Sequence, residues 1–362
     1  MIVYWLYFIF PAILALSGKV RSPHLISQNR SLVFGGLWWF IVLALTFLIG
    51  LRHEVGGDWK NYIRIFSESS HISSIGEFSL IGDPGYTLIN VISANAGFDI
   101  YGVNLFCALI FSIGLALFCR NLPRPLLALA VSVPFLVVVV SMGYTRQAAA
   151  LGFAMTGMVF LGRGNNLKFV CYVLLATIIH KSALILLPIS ILASSKNRLW
   201  TALWVGVVGA TFFLLFIADV ISNMVSNYSN LEDPASQAAG AFWRLAMNFV
   251  PSLIFLFFYE RFKIPELEKP LWKWLSIISI FLMLLFFFLP VSTALDRVAL
   301  YMIPLQMVIF SYLPDIFGKR NAIHKWIMLS IIGYYSLVLF VWLNFSINAQ
   351  FWLPYQNLIF LW

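Results

Sequence analysis

Apolar runs too long for a soluble core govern what this chain can fold into. About twenty mainly apolar residues cross a bilayer as a helix. Stretches of that kind, some a few residues shorter, occur at Ile2–Leu16, Leu32–Leu51, Tyr101–Cys119, Leu126–Met142, Gln147–Leu161, Trp200–Ile221, Ala241–Tyr259, Leu271–Leu289, Val298–Ile316 and Trp326–Phe345. In lipid every backbone polar group must be satisfied internally, so these runs predict an all-α polytopic integral membrane protein with about ten transmembrane helices. Only 10% of the residues are charged, and 61% are hydrophobic. A water-facing domain carries roughly a quarter of its residues charged, so soluble enzymes, nucleic-acid-binding modules and disordered scaffolds are excluded. The 362 residues read as a single polytopic membrane domain, 1–362.

One further apolar stretch, Leu167–Ala193, carries His180-Lys181-Ser182 at its centre, where ionisable groups are costly. Charge decides between one crossing and a helical hairpin that returns to its own side. As a hairpin it divides Lys and Arg 16 against 7 between the two faces; as a single crossing it divides them 9 against 13 and strands Lys181 inside the membrane. Cytoplasmic loops concentrate Lys and Arg, so the hairpin is the expectation. Both termini then lie outside, with the segments 52–100, 143–146, 222–240, 290–297 and 346–362. The net charge of +9 becomes a matter of topology, because the outer face is net acidic.

The N-terminal run has no preceding Lys or Arg, which points to an uncleaved first span rather than a signal peptide, although Ala15-Leu16-Ser17 loosely resembles a cleavage site. The odd number of cysteines, Cys107, Cys119 and Cys171, all in or beside apolar runs, argues against a disulfide framework. Two outer loops stand out, 52–100 and 222–240. The first carries Gly56-Gly57, a serine-rich stretch at Ser67–Ser74, and the turn Asp83-Pro84-Gly85 before a short amphipathic run, Tyr86–Ala96, expected to lie at the membrane interface or to re-enter it.

With loops assigned, Arg52, Asp58, Tyr62, Arg146, Gln147, His180, Arg244, Asp296, Arg297 and Tyr301 fall near the outer ends of helices. An Arg there is commonly a snorkelling anchor, yet Arg52, Arg146 and Arg297 stand on the face that disfavours basic residues. Gly56-Gly57 either makes a tight turn or lets backbone approach a ligand. Arg146-Gln147 opens a helix whose free amides already favour an anion, and the guanidinium adds a forked donor suited to phosphate. Asp296 could cap the span at Val298–Ile316, with Arg297 and Tyr301 on one face of its first turns. A buried His is often a hydrogen-bonded structural residue, but His180 occupies a turn whose plain filling would be Leu or Gly. Metal ligation is weakly supported: no HxxxH, HxxE or CxxC is present, and a metal-independent site with no cofactor is expected. The chemistry that fits is an anionic lipid head group, a diphosphate above all, with His180 as a base near neutral pH.

Five ordered landmarks carry a resemblance: Arg52-x3-Gly56-Gly57-Asp58-x3-Tyr62, Asp83-Pro84-Gly85-Tyr86, Arg146-Gln147-x2-Ala150, His180-Lys181-Ser182-Ala183-Leu184 and Arg297-x3-Tyr301. Across roughly residues 30–320 the chain resembles the EpsG family, Wzy-type polymerases of bacterial surface polysaccharides. Asp83 stands where such chains more often have Glu, which leaves the role of that acid open. The resemblance implies a membrane glycosyltransferase that moves a glycan from undecaprenyl diphosphate onto a sugar hydroxyl of another lipid-linked repeat unit, in O-antigen, capsule or exopolysaccharide synthesis. It places the protein in the bacterial cytoplasmic membrane with its site facing outward. A chain-length regulator and a flippase are the further expected partners beside the lipid-linked oligosaccharide and the bilayer. Under it Arg52, Arg146 and Arg297 would bind the diphosphate. His180, or secondarily Asp58, would take the acceptor proton, and Tyr62, Gln147, Tyr301 and Arg244 would contact substrate. An O-antigen-type ligase shares donor and chemistry with a polymerase, and a lipid-linked oligosaccharide flippase is the rival outside catalysis; the latter would want charged groups midway along several spans.

Overall fold

Helix boundaries in the computed structural model fall where the sequence interrupts its apolar runs with Pro, Gly or a polar pair. The structure describes residues 1–17, 34–72, 83–189, 199–200, 203, 206–207, 240–288, 292–318 and 321–360. Among them the regular elements are helical: α1 (Ile2–Ser17), α2 (Gly36–Gly50), α3 (Trp59–Ser70), α4 (Pro84–Asn95), α5 (Asp99–Arg120), α6 (Pro125–Ser132), α7 (Thr145–Gly162), α8 (Asn166–Ile179), α9 (Ala241–Phe257), α10 (Lys269–Phe288), α11 (Ser292–Leu300), α12 (Pro304–Phe317) and α13 (Asn321–Phe345). Among the described residues three stretches, Asp99–Arg120, Lys269–Phe288 and Ile323–Phe345, are long and apolar enough to cross a membrane; Ile2–Ser17, Gly36–Gly50, Pro125–Ser141, Asn166–Ile179 and Ala241–Phe257 are shorter apolar helices. The fold is thus all-helical and of membrane type. Most of the expected span Trp200–Ile221, all but residues 200, 203, 206 and 207, and the loop 222–240, Gly240 apart, lie outside the described residues.

Three elements differ from the sequence expectation. The run Leu126–Met142 is a short α-helix continued by nine residues of π-helix, Val133–Ser141, with Pro134 near its start. Proline removes a donor and clashes with the preceding turn, and the wider π winding accommodates it in a stretch that is buried throughout. The run Val298–Ile316 is two helices: α11 ends at Leu300 and α12 begins at Pro304, because a residue before proline avoids the α region and proline fits a first helical position. Asp296 therefore lies inside α11 rather than capping a span. The loop 52–100 holds two helices, not one. α3 sets Trp59, Tyr62 and Ser69 inward, with Ile65 and Phe66 partly buried beside them. Lys60 and Arg64 lie on its exposed side.

The chain divides into two compact units: Met1–Thr156 with Ile178–His180 and Phe310–Trp362, and Gly157–Thr177 with Lys181–Ile309. In the first, α5 packs on α2 and α7 by way of small residues. A Cβ on Gly114 would fall 2.1 Å from the Gly152 carbonyl oxygen, and one on Gly50 would fall 2.7 Å from Leu105 Cα, the close backbone approach by which membrane helices gain dispersion contact. Arg124 holds Asp315 in a forked pair at 2.6 and 2.7 Å, tying the start of α6 to the end of α12. The segment after α13 lies across helix ends. Trp352 Nε1 donates to Val138 O at 2.8 Å, Tyr355 hydroxyl to Leu48 O at 2.8 Å and the Leu358 amide to Leu51 O at 2.8 Å.

In the second unit α9 packs on α10, and Asn248 donates to Ala299 O at 2.8 Å while accepting from Gln306 at 2.6 Å. Glu268, just before α10, packs against Gly162. Burial raises its carboxyl pKa to about 7, opposed by hydrogen bonding from Trp272 and by the charge of Arg163. A raised carboxyl pKa means the folded state holds a proton that the unfolded chain has released, so stability falls as pH rises from about 4.5 to about 7. Glu268 retains some exposure, so the loss is on the order of 1–2 kcal/mol. Thermal melting in detergent is expected to weaken between pH 5 and pH 8, and Glu268→Gln to flatten that slope; an unchanged slope in the variant would refute the assignment.

Candidate functional site

Within the first unit, the loop leaving α2 sets the stage. Gly56 has φ +110°, and a Cβ there would fall 2.3 Å from Met142 O, so only glycine fits. Its amide donates to Phe351 O at 2.8 Å and its carbonyl accepts from the Trp59 amide at 3.1 Å, starting α3. The close approach is to backbone, which makes this a structural turn. Arg52 in the same loop is 1% exposed. Its Nη1 donates to Ile49 O at 2.6 Å, Nε to Val55 O at 3.2 Å, and Nη2 to Thr145 Oγ1 at 2.6 Å and Asn104 Oδ1 at 3.4 Å. A guanidinium so committed fastens α2, α5 and the first residue of α7 together. Arg52, expected at the diphosphate, is here held by four acceptors of the protein itself.

Asp83 is the residue around which the remaining groups gather. It precedes Pro84 at the first turn of α4, the place where a carboxylate ordinarily caps a helix, yet it makes no side-chain cap. Its Oδ2 instead accepts from Arg146 Nη1 at 3.0 Å and lies 3.0 Å from His180 Nδ1. The α4 backbone can approach because residue 85 is glycine: a Cβ there would fall 2.6 Å from Ile178 Cγ2 and 3.0 Å from Ile178 O. The helix α8 stops at Ile179, and His180 stands at the break before the 3-10 turn Lys181–Leu186. With Asp83 accepting from Nδ1–H, the other imidazole nitrogen is the acceptor. That nitrogen, Nε2, lies 3.2 Å from Gln147 Nε2, which donates to it in this arrangement.

Arg146 is seated on aromatic rings. Its guanidinium carbon is 5.9 Å from the Tyr62 ring centre and 5.7 Å from that of Tyr86, a cation–π arrangement. The charge of Arg146 acts on the Tyr62 hydroxyl. Burial pushes that hydroxyl up to about 12, so Tyr62 is a neutral phenol throughout the physiological range. The side chains of Asp83, His180 and Arg146 are 6%, 14% and 25% exposed, so the arginine is the most accessible member. Among the described residues, Tyr86 hydroxyl and Gln147 Oε1 are buried without a hydrogen-bond partner, two polar atoms beside the cluster with capacity unused.

Of the residues singled out in the sequence, Tyr62, Arg146, Gln147 and His180 come together here. Asp58 stands before α3, half-buried, and its charge acts on Tyr62. Arg244, Arg297 and Tyr301 belong to the second unit. There Arg244 pairs with Asp296, Tyr301 hydroxyl meets Ser182 Oγ at 3.1 Å, and Arg297 is exposed in the last turn of α11. Sequence reasoning left Asp83 without a role and passed over Tyr86, although both stand in the Asp83-Pro84-Gly85-Tyr86 landmark. Among the described residues no three His, Cys, Asp or Glu side chains converge as metal ligands.

An all-helical, membrane-type chain with a buried Arg–Asp–His cluster defines a class: integral membrane proteins whose polar chemistry is placed at helix ends. The chain matches the EpsG family over residues 36–357 and belongs to it. EpsG-family proteins are Wzy-type polymerase-like, which points to a polysaccharide-related membrane glycosyltransferase. No curated protein and no solved structure matches the chain.

Two substitutions test how the cluster is held. Gly85→Ala is expected to part Asp83 from His180 and abolish polymer while leaving membrane accumulation near normal; intact polymer would show the close approach to be dispensable. Arg52→Lys keeps the charge but cannot reach all four acceptors, each costing about 1–3 kcal/mol when left buried and unpaired. A lower melting temperature in detergent is expected, and an unchanged one would argue against the positioning role.

Proposed function

We propose that the protein is a polysaccharide polymerase that transfers a growing glycan from undecaprenyl diphosphate onto a sugar hydroxyl of another lipid-linked repeat unit. The reaction belongs at the outer face of a bacterial cytoplasmic membrane and needs no metal or cofactor. The observation that carries the reading is the shared carboxylate oxygen of Asp83, which holds His180 and Arg146 at 3.0 Å each. One acid thereby orients a base and a cation side by side, the two groups a glycosyl transfer from a diphosphate calls for.

The acceptor hydroxyl attacks the anomeric carbon of the donor, the bond from that carbon to the diphosphate oxygen breaks, and the electron pair leaves with the diphosphate. His180 Nε2 takes the hydroxyl proton, with Asp83 fixing the ring as its Nδ1 hydrogen-bond acceptor, the division of labour familiar from His–Asp pairs. The acceptor hydroxyl displaces the Gln147 amide from Nε2 as it enters. Arg146, the most exposed member of the cluster, stabilises the charge that develops on the leaving diphosphate. Tyr62 and Tyr86 hold its guanidinium from behind. Asp58 is assigned to the electrostatics around Tyr62 rather than to proton transfer.

Deletion of the gene followed by electrophoresis of the surface glycan tests the function. Collapse of a ladder to one repeat unit is expected; complete loss of glycan on its final acceptor would indicate a ligase or flippase instead. For the site, His180→Ala should slow polymerisation about 10²–10⁴-fold, the usual contribution of a positioned base, with donor binding little changed. Gln147→Ala should do much less. A normal chain-length distribution in His180→Ala would remove the histidine from the mechanism.

A further inference from the structure

Beside the Asp83 cluster the first unit holds a second feature that the proposed chemistry does not use. His53, Trp59 and Tyr101 are in mutual ring contact: His53 to Trp59 at 6.0 Å, His53 to Tyr101 at 6.1 Å and nearly parallel, and Trp59 to Tyr101 at 6.2 Å. The Tyr101 hydroxyl and His53 Nδ1 lie 2.5 Å apart, which locks the two rings as one surface. Trp59 is 7% exposed and forms the floor, while His53 and Tyr101 are half-buried, each with part of its side chain on the surface.

Two carboxylates flank these rings. Glu54 and Asp99 are exposed, and both act electrostatically on the Tyr101 hydroxyl. Both also have a left-handed backbone, φ 53° and 49°, and no other non-glycine residue among those described does. The charge decides what class of ligand such a surface takes. An anionic lipid head group would be repelled, and an acyl chain would strand both carboxylates against hydrocarbon. A neutral, hydroxyl-rich ring suits it, with its C–H face on the aromatics and its hydroxyls donating to carboxylate oxygens.

We propose that His53, Trp59 and Tyr101, with Glu54 and Asp99, form a sugar-binding platform that holds a pyranose of the glycan next to the Asp83–Arg146–His180 cluster. The inference rests on the polymerase reading and adds to it the place where the carbohydrate is gripped. Continuity along α3 supports it. Trp59 and Tyr62 are three residues apart, about 4.5 Å of rise; Trp59 belongs to the platform, while the Tyr62 ring centre lies 5.9 Å from the Arg146 guanidinium carbon. The separation is of the order of one sugar ring, so a glycan on the platform would present its neighbouring residue to the arginine. The Arg52 guanidinium, 5.9 Å from the Trp59 ring, steadies the floor from inside.

The test compares two probes on the full chain in nanodiscs: the lipid-linked repeat unit extracted from cells that lack the polymerase, and undecaprenyl diphosphate bearing no sugar. Tyr101→Leu is expected to weaken the first about tenfold, as loss of an aromatic anchor does, and to leave the second within about twofold, while Tyr101→Phe keeps most of the affinity. Glu54→Gln with Asp99→Asn, both at exposed positions where the fold is not at stake, should weaken the first probe several-fold and spare the second. Equal weakening of both probes by the exposed pair, or no weakening by any variant, would overturn the platform. Wild-type protein that binds the two probes alike would overturn it also and leave the polymerase chemistry standing. Wild-type protein that binds neither would overturn the polymerase reading and the platform with it.

Discussion

A buried guanidinium held by neutral acceptors is the constraint from which the first unit is built. Arg52 is almost wholly inaccessible, and its charge is answered by the carbonyls of Ile49 and Val55 and by Thr145 and Asn104. Leaving such a group short of acceptors costs far more than any single apolar contact returns, so the end of α2, the loop to Val55, α5 and the start of α7 cannot drift independently. Thr145 is the first residue of α7, and the next two are Arg146 and Gln147. Fixing Thr145 therefore fixes the direction in which these two side chains leave the helix. The C-terminal segment reinforces the same corner, because Asn357 bridges to Arg52 and Gln356 O accepts from the His53 amide at 3.0 Å.

The second step is taken at Asp83. Four consecutive residues do separate physical work there: the carboxylate is withheld from capping, Pro84 starts the helix without needing a donor, Gly85 admits the α8 backbone, and Tyr86 supplies a ring under Arg146. Each depends on the others. Without the glycine the acid could not reach His180, and without the acid the guanidinium and the imidazole would face one another with no anion between them. Arg146 and His180 come from segments well apart in sequence, and a single carboxylate oxygen is what makes them neighbours.

Much of the fold is legible in the sequence because a bilayer permits few solutions. Apolar runs translate into helices, and of the landmark residues Tyr62, Arg146 and His180 come together about Asp83. What is not legible follows from effects that act across the chain. Pro134 and Pro304 divide apolar runs that composition alone reads as continuous, and only packing shows one becoming a π segment and the other a break. α3 is hidden because its inward residues are aromatic and spaced among Lys, Arg and Glu, a pattern that reads as a polar loop until its partner helices are in place. Arg52 and Arg146 look alike as arginines near helix ends. They are separated by burial, which depends on Asn104 and Thr145 arriving from elsewhere.

Seen from α3, the two polar features of the unit are one construction. The helix lies over α4 and α5 with Tyr62 and Tyr86 at 5.9 Å and Trp59 and Tyr101 at 6.2 Å, so a rotation about its axis would disturb the seat of Arg146 and the aromatic floor together. Gly56 sets its starting angle against Met142, and Met142 in turn precedes the turn that leads into α7. The loop, the helix and the opening of α7 are thus linked by the Gly56–Met142 approach at one end and the Tyr62–Arg146 contact at the other. Within that frame Trp59 and Tyr62 stand three residues apart on one helix, a spacing that rigid secondary structure holds far better than a loop could.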